Sequence, residues 1–452
     1  MTSARITQVR SSRLLQGSAW ILIGLGIQSA LGVTFWYLGA HVASSGQLGR
    51  ASALFTTIQF VNYASGLGLT IALARHATHA DAESDALFTW GIAATVLSSI
   101  VAGSLYLAIA HNPAVSLANG SPTGWLIFCA YTAGTSVGLL VDVRLMAARR
   151  WGWLVSRIAI TGLVRLPFVG LHVGIRPDLW LYHLMLAPLA IGGILGVPLL
   201  GRIGAGGLRL NRPASIRAVA RYSGVNWVAS LASQAPQFVL PLLVAQSVRS
   251  SLNANFFLAW TFTGLVFLVP GAIAQVLLVE GSKDANRAAA RSAAADGLDP
   301  DLSLVLGSET GDDHGHEPAA NRAREALVFS LGLATLAWLG ALVAGRAIPA
   351  LLGDDYRATA HLLPKLMAAG IPWAITSVRL SEARIRRDQL ATVAITATLG
   401  LGILVPAVLW VPHAGTSAAT QAWLLGNVAA AIVSVVVHQR ARRVPRLAAA
   451  AG

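Results

Sequence analysis

Phe88-Thr-Trp-Gly-Ile-Ala-Ala-Thr-Val-Leu-Ser-Ser-Ile-Val-Ala-Gly-Ser-Leu-Tyr-Leu-Ala-Ile-Ala110 runs for 23 residues without a charged side chain. A helix needs about 20 mainly apolar residues to cross the hydrocarbon of a bilayer. Eleven further stretches share that length and composition: Ser18–Val42, Ala51–Ala74, Gly124–Val143, Leu154–Val173, Leu179–Leu200, Val225–Val248, Phe256–Val279, Ala326–Ala347, Leu362–Val378, Ala391–Val411 and Ala418–Val437. In chain order, the sixth is interrupted by Pro188 and Pro198, and the tenth by Pro364 and Pro372. The expected fold class is an all-α polytopic membrane protein of about 12 transmembrane helices.

The composition agrees. Of 452 residues, 55% are hydrophobic and 12% charged, about half the charged fraction of a soluble domain. Cys129 is the one cysteine, so no disulfide framework is available. The first apolar run is too long for a cleavable signal peptide.

The formal charge of +14 acquires meaning from its placement. With the N-terminus in the cytoplasm, 25 of the 33 lysines and arginines fall on segments assigned inside, and six on segments assigned outside. Only Arg157 and Arg165 remain, both within the fifth span. This is the bias that orients membrane helices. It supports twelve crossings and cytoplasmic termini, and it accounts for the basic balance without nucleic acid as a partner.

The two halves carry related sequences. Gly17-Ser-Ala-Trp20 opens the first span and Gly224-Val-Asn-Trp227 the seventh; Val143-Arg-Leu-Met-Ala-Ala-Arg149 closes the fourth and Val378-Arg-Leu-Ser-Glu-Ala-Arg384 the tenth. Both halves begin inside, so the repeat is parallel, an arrangement that transporters use with the substrate site where the repeats meet. The expected organisation is a six-helix lobe at 1–200, a basic cytoplasmic linker at 201–221, and a second six-helix lobe at 222–452. The acidic, Ala-rich stretch 281–324 reads as a flexible cytoplasmic loop. Its Asp312-Asp-His-Gly-His-Glu317 lacks the spacing of a metal motif, so no metal is expected.

Neither lysine, Lys283 or Lys365, stands in a P-loop. No metalloprotease motif, cysteine pair or nucleophile elbow is present, no cofactor is implied, and loops outside the spans are mostly short. These features exclude an ATPase of the P-loop type and weigh against an enzyme.

Polar residues inside spans are costly and therefore informative. At 100° per residue, Arg157, Thr161, Arg165 and His172 fall within about 80° on one face of the fifth span. They form a basic stripe fit to line a cavity that attracts an anion. The alternative is that Arg165 snorkels to headgroups or pairs with a polar neighbour. Asn226, Ser230, Ser233, Gln234 and Gln237 make a second stripe, within about 100°, on the seventh span. It faces either a water-filled cavity or another helix. Gln28, Gln59 and Asn62 are weaker candidates for the same cavity. Asp142 and Glu280 sit at span ends, so clear mid-membrane positions lack acid. That absence disfavours a cation-coupled drug exporter and suits an anionic substrate such as a pyrophosphate.

Several stretches resemble the bacterial polysaccharide-export flippases, the O-antigen and teichoic-acid exporters of the multidrug/oligosaccharidyl-lipid/polysaccharide (MOP) superfamily. They are Gly66-Leu-Gly-Leu-Thr-Ile-Ala-Leu-Ala-Arg75, Pro236-Gln-Phe-Val-Leu-Pro241, Asn255-Phe-Phe-Leu-Ala-Trp260, Pro270-Gly-Ala-Ile-Ala-Gln-Val-Leu-Leu-Val-Glu-Gly-Ser282 and Leu352-Gly-Asp-Asp-Tyr356. The resemblance implies two six-helix lobes around a central cavity and alternating access. It further implies a cargo of oligosaccharide on a polyprenyl pyrophosphate, flipped across the bacterial cytoplasmic membrane. Membrane lipids and other polysaccharide-assembly proteins are the partners it implies. Relatives devoted to the peptidoglycan precursor typically have fourteen spans, against the twelve read here. Arg144, Arg379 and Arg75 are expected to meet headgroups or pyrophosphate at the inner mouth, or to act as interfacial anchors. Two other readings stand beside the flippase. One is a multidrug exporter of the same fold. The other is a membrane glycosyltransferase using Asp354 and Asp355 on the largest outer loop.

Overall fold

The computed structural model describes residues 2–76, 81–110, 118, 120–171, 175–295, 316–386 and 388–450. All regular structure among them is helical: α1 Thr2–Val42, α2 Ser45–Ser65, α3 Leu69–His76, α4 Ala82–Ile109, α5 Pro122–Ala147, α6 Trp151–Leu163, α7 Pro177–Arg202, α8 Ile216–Ser247, α9 Ser250–Ala295, α10 His316–Leu352, α11 Arg357–Ala368, α12 Gly370–Ile385 and α13 Gln389–Ala450. Helix is present at each of the twelve expected spans. Among the described residues, seven helical segments have both the length and the apolar composition for a crossing. The longest, Gln389–Ala441, covers 53 residues and holds the last two spans. They are separated within α13 by Gly415, whose φ of 60° and ψ of −136° only glycine adopts readily. The chain is a multi-pass membrane protein.

Local chemistry sets the breaks. The second span divides at Gly66–Gly68, where Leu67 and Gly68 take positive φ (49° and 66°). The fifth does not run to Val173 as one helix. Helix α6 stops at Leu163, and a 3-10 turn, Leu166–Phe168, follows around Pro167. Proline disfavours helical backbone at the residue before it and removes a donor. Of the expected stripe, Arg157 and Thr161 lie within α6, Arg165 follows it with helical backbone (φ −81°, ψ −25°) at the start of the 3-10 turn, and His172 lies outside the described residues. The tenth span divides into α11 and α12, with Pro372 in the first turn of α12 where its missing N–H costs nothing. Helix α9 continues to Ala295 and α10 begins at His316, so helix extends into both ends of the stretch read as a loop. Residues 296–315 lie outside the described set.

Packing defines two compact units. The first comprises Met1–Leu258, Ile348–Thr359 and Val408–Thr416. This division follows packing; the lobes 1–200 and 222–452 follow the sequence repeat. In the first unit α5 and α7 cross at glycines: a Cβ on Gly193 would lie 2.1 Å from the Gly134 carbonyl oxygen, and one on Gly134 would lie 2.7 Å from Ala190 Cβ. Backbone cannot yield there as a side chain does. Gly193→Leu is expected to cost at least the 1–3 kcal/mol typical of an overpacked core, roughly, and to abolish the monodisperse peak in detergent size-exclusion chromatography.

Beside them, Asn62 donates to Thr135 Oγ1 (2.8 Å) and accepts from Ser136 Oγ (2.9 Å), which also accepts from Ser99 (3.3 Å). The segment after α7 is strapped to the start of α4. Arg209 N donates to Thr89 Oγ1 (2.9 Å), Trp90 Nε1 to the Asn211 carbonyl (3.2 Å), and Ser215 N and Oγ to Glu83 (2.9 and 2.7 Å).

The second unit comprises Ala259–Ala347, Ala360–Ala407 and Ser417–Gly452. Its centre is aromatic, with Trp260 against Trp423 (ring centroids 4.7 Å) and Phe267 against Trp373 (5.9 Å). Gly426 lies against Gly402 and Ile403, where a Cβ would come within 2.8 Å of backbone.

Candidate functional site

The site is best built from the arginines, because each buried guanidinium must be neutralised or must wait for an anion. Helix α5 begins at a Ser121 cap, whose Oγ accepts from Gly124 N at 3.0 Å, with Pro122 in the first turn. Near its other end it presents Asp142 and Arg144. The turn to α6 brings Arg157 opposite Asp142: Nε donates to Oδ1 at 2.8 Å, and Nη2 bonds Oδ2. This is the bidentate geometry that planar guanidinium favours. Arg144, 3% exposed, bonds Asp85 Oδ1 on α4 at 2.6 Å. In the second unit Arg379 bonds Glu382 at 2.8 Å and His438 Nε2 at 3.1 Å, and His438 stands 3.3 Å from the same carboxylate. At the opposite end of the first unit Asp178, fully buried, takes Arg50 (2.7 Å) and Arg176 (2.9 Å).

Arg165 differs from all of these. It is 3% exposed, at the start of the 3-10 turn. Its Nη1 reaches Met185 Sδ at 2.7 Å and the Met185 carbonyl at 3.4 Å, and its guanidinium lies 5.1 Å over the Phe35 ring. Its Nε makes no hydrogen bond, and no carboxylate contacts it among the described residues. A cation–π contact and a thioether are weak compensation for a buried positive charge.

The other expected residues fall into two sets. Thr161 is buried and donates to the Arg157 carbonyl (2.8 Å), and Asn62 belongs to the hydroxyl network. Gln28, Gln234 and Gln237 are exposed near the middle of their spans, and Gln59 is half-buried. An amide does not face lipid cheaply, so exposed mid-span glutamines are what water-filled space calls for. The side chains of Arg75, Asn226, Ser230 and Ser233, and all of His172, lie outside the described residues. Asp354 pairs with Arg357 (2.9 Å), and Asp355 accepts from Ser45 (3.0 Å). No cluster of metal-ligating residues occurs among the described residues.

Two partners were missed in the sequence, Asp85 and Asp142. Asp85 lies 59 residues from Arg144, and nothing local announces the pairing. Asp142 was legible: it precedes the α5–α6 turn by about as many residues as Arg157 follows it, and antiparallel neighbours at equal distance from a turn face each other.

No protein-family model matches the chain, and no curated protein matches it. Solved structures do. The fold is similar to the Vibrio cholerae MATE transporter VcmN, at 16% identity and a TM-score of 0.58, over 97% of this chain and 98% of that one. It is similar to the lipid II flippase MurJ in an inward closed conformation, at 13% identity and 0.68, over 92% and 87%. It is similar to an inward-facing multidrug resistance MATE family transporter of the MOP superfamily, at 12% identity and 0.68, over 92% and 97%. All three are transporters or flippases. The helices of this multi-pass membrane protein are thus arranged in the fold that the multidrug transporters and the lipid flippase of the MOP superfamily share.

Proposed function

We propose that the protein flips a polyprenyl-pyrophosphate-linked oligosaccharide across the bacterial cytoplasmic membrane by alternating access, both termini being cytoplasmic. The observation that carries the reading is the charge balance inside the first unit. Asp85, Asp142 and Asp178 are each held by arginine, whereas among the described residues no carboxylate contacts Arg165. A cation-coupled exporter of the same fold needs a carboxylate free to take its proton or Na⁺. A pyrophosphate carrier needs the reverse, a cation without a counter-ion. Gln28, Gln59, Gln234 and Gln237 supply neutral donors and acceptors suited to a glycan. Arg144, Arg157 and Arg379 are structural ion pairs in this reading rather than contacts for cargo. Lipids, and the membrane enzymes that build and polymerise the glycan, are the partners it requires.

Deleting the gene and measuring polyprenyl-linked glycans by mass spectrometry tests this directly. The expected result is a lipid-linked oligosaccharide accumulating on the cytoplasmic side, with the matching surface polymer lost. Unchanged glycan pools together with new sensitivity to cationic drugs would instead support the exporter.

A further inference from the structure

The segment between α7 and α8 is tied to α4 along one edge and open along the other. Its anchors run along α4 in order: Arg209 N on Thr89, the Asn211 carbonyl on Trp90, and Ser215 on Glu83. From Thr89 back to Glu83 an α-helix climbs roughly 9 Å. Thr89 and Trp90 lie in the first turn of the uncharged run Phe88–Ala110, and Glu83 lies beyond it, on the side that the arginines assign to the cytoplasm. Residues 208–211 therefore lie where hydrocarbon gives way to headgroups, and the rest of the segment rises away from the bilayer. Trp90, 44% exposed, is the kind of side chain that this boundary favours.

The segment is seated at both ends. Ala205 and Pro213 are buried. Gly204 and Gly206 take positive φ (65° and 128°), and a Cβ on Gly206 would fall 2.5 Å from Arg144 Nη2 and 2.8 Å from Asp85 Oδ1. Glycine lets the turn close onto that ion pair. Between these seats the chain turns its side chains outward: Leu208 is 58% exposed and Leu210 86%. Arg202, Arg209 and Arg212 are exposed around them, and residues 202–212 contain no acidic side chain. Asp85 stands 3.9 Å from Arg209 but already bonds Arg144 at 2.6 Å, so positive charge remains in excess.

Two leucines fully open to water would be a liability in a cytoplasmic loop. At the depth set by Thr89 and Trp90 they meet acyl chains instead. Apolar side chains flanked by guanidinium groups match a leaflet whose surface carries phosphate, and anionic headgroups strengthen the match.

We propose that the open edge of this segment, Leu208 and Leu210 with Arg202, Arg209 and Arg212, is a binding surface for anionic phospholipid in the leaflet on that side. The leucines enter the upper acyl region and the guanidinium groups take the phosphates. The surface does not depend on what the protein carries.

The test uses the full-length protein with Cys129→Ala and Leu210→Cys, the new thiol bearing an environment-sensitive nitrobenzoxadiazole dye. It is reconstituted in phosphatidylcholine vesicles with and without phosphatidylglycerol, each carrying a lipid spin-labelled at a shallow acyl carbon. The expected result is quenching of the dye by about twofold or more in phosphatidylglycerol, and less in phosphatidylcholine alone. Arg202→Gln with Arg212→Gln leaves the bonds to α4 in place and should erase the difference between the two lipids. An unquenched dye in both vesicles would place the segment in water and overturn the surface. Equal quenching in both by the parent would overturn its preference for anionic lipid. Glycerol phosphate added to phosphatidylcholine vesicles should change nothing; an effect equal to that of phosphatidylglycerol would make this a site for free phosphate and overturn the lipid assignment. None of these readouts involves transport, so they stand apart from the gene-deletion result.

Discussion

Arg165→Met is expected to abolish glycan export while leaving the protein at least as stable as the parent. Methionine keeps the apolar stem against Phe35 and Met185 and removes only the charge. Because no carboxylate faces Arg165 among the described residues, the substitution orphans nothing. Replacing buried charge with packed apolar atoms is commonly neutral or stabilising. If the guanidinium binds pyrophosphate, the variant loses a charge-assisted contact worth roughly 1.5–3 kcal/mol, about a tenfold or greater loss of export. Arg165→Lys keeps the charge without the planar fork and should fall between. The measurements are thermal unfolding in detergent and surface polymer per unit of membrane protein. Normal export from Arg165→Met would remove this residue from the site; lost export with lost stability would make its role structural.

Asp142→Ala should behave in the opposite way. It leaves Arg157, whose side chain is 14% exposed, without its bidentate partner. Breaking one side of such a pair costs up to about 3–5 kcal/mol, which lowers the melting temperature by roughly 3–5 °C in a chain of this size. Asp142→Leu with Arg157→Met removes both charges and should recover most of that loss. If the pair is purely structural, as the proposed function holds, the double variant exports glycan normally. If Arg157 also touches cargo, stability returns and export does not. A single variant as stable as the parent would mean that the pair is not formed in the membrane.

The spans were legible because the bilayer imposes a length of about 20 apolar residues, and the sequence must satisfy it locally. The α5–α7 crossing was legible in principle from Gly134, Gly138, Gly193 and Gly196 at spacings of three to four. The angular reading of the fifth span applies directly to Arg157 and Thr161 within α6; Arg165 stands beyond it, at the start of the 3-10 turn that contains Pro167. A rule of 100° per residue applies only within one helix. The sequence reads Arg144 as a headgroup or pyrophosphate contact or an interfacial anchor; its bond to Asp85 of α4 was not legible, because pairing across spans is a property of the packed bundle. Arg165 was singled out for lying inside a span. What distinguishes it in the structure, that no carboxylate contacts it among the described residues, is a property of its neighbours.

The strap after α7 bears on how the chain is made. The partners Glu83, Thr89 and Trp90 all precede residues 209–215 in the chain. Docking of this segment waits for nothing still to be synthesised. As it leaves the ribosome it can fasten to the start of α4, fixing where α8 enters the bilayer before α8 exists. The basic stretch between the halves is then an assembly clamp that closes one half of the molecule while the other is still being translated.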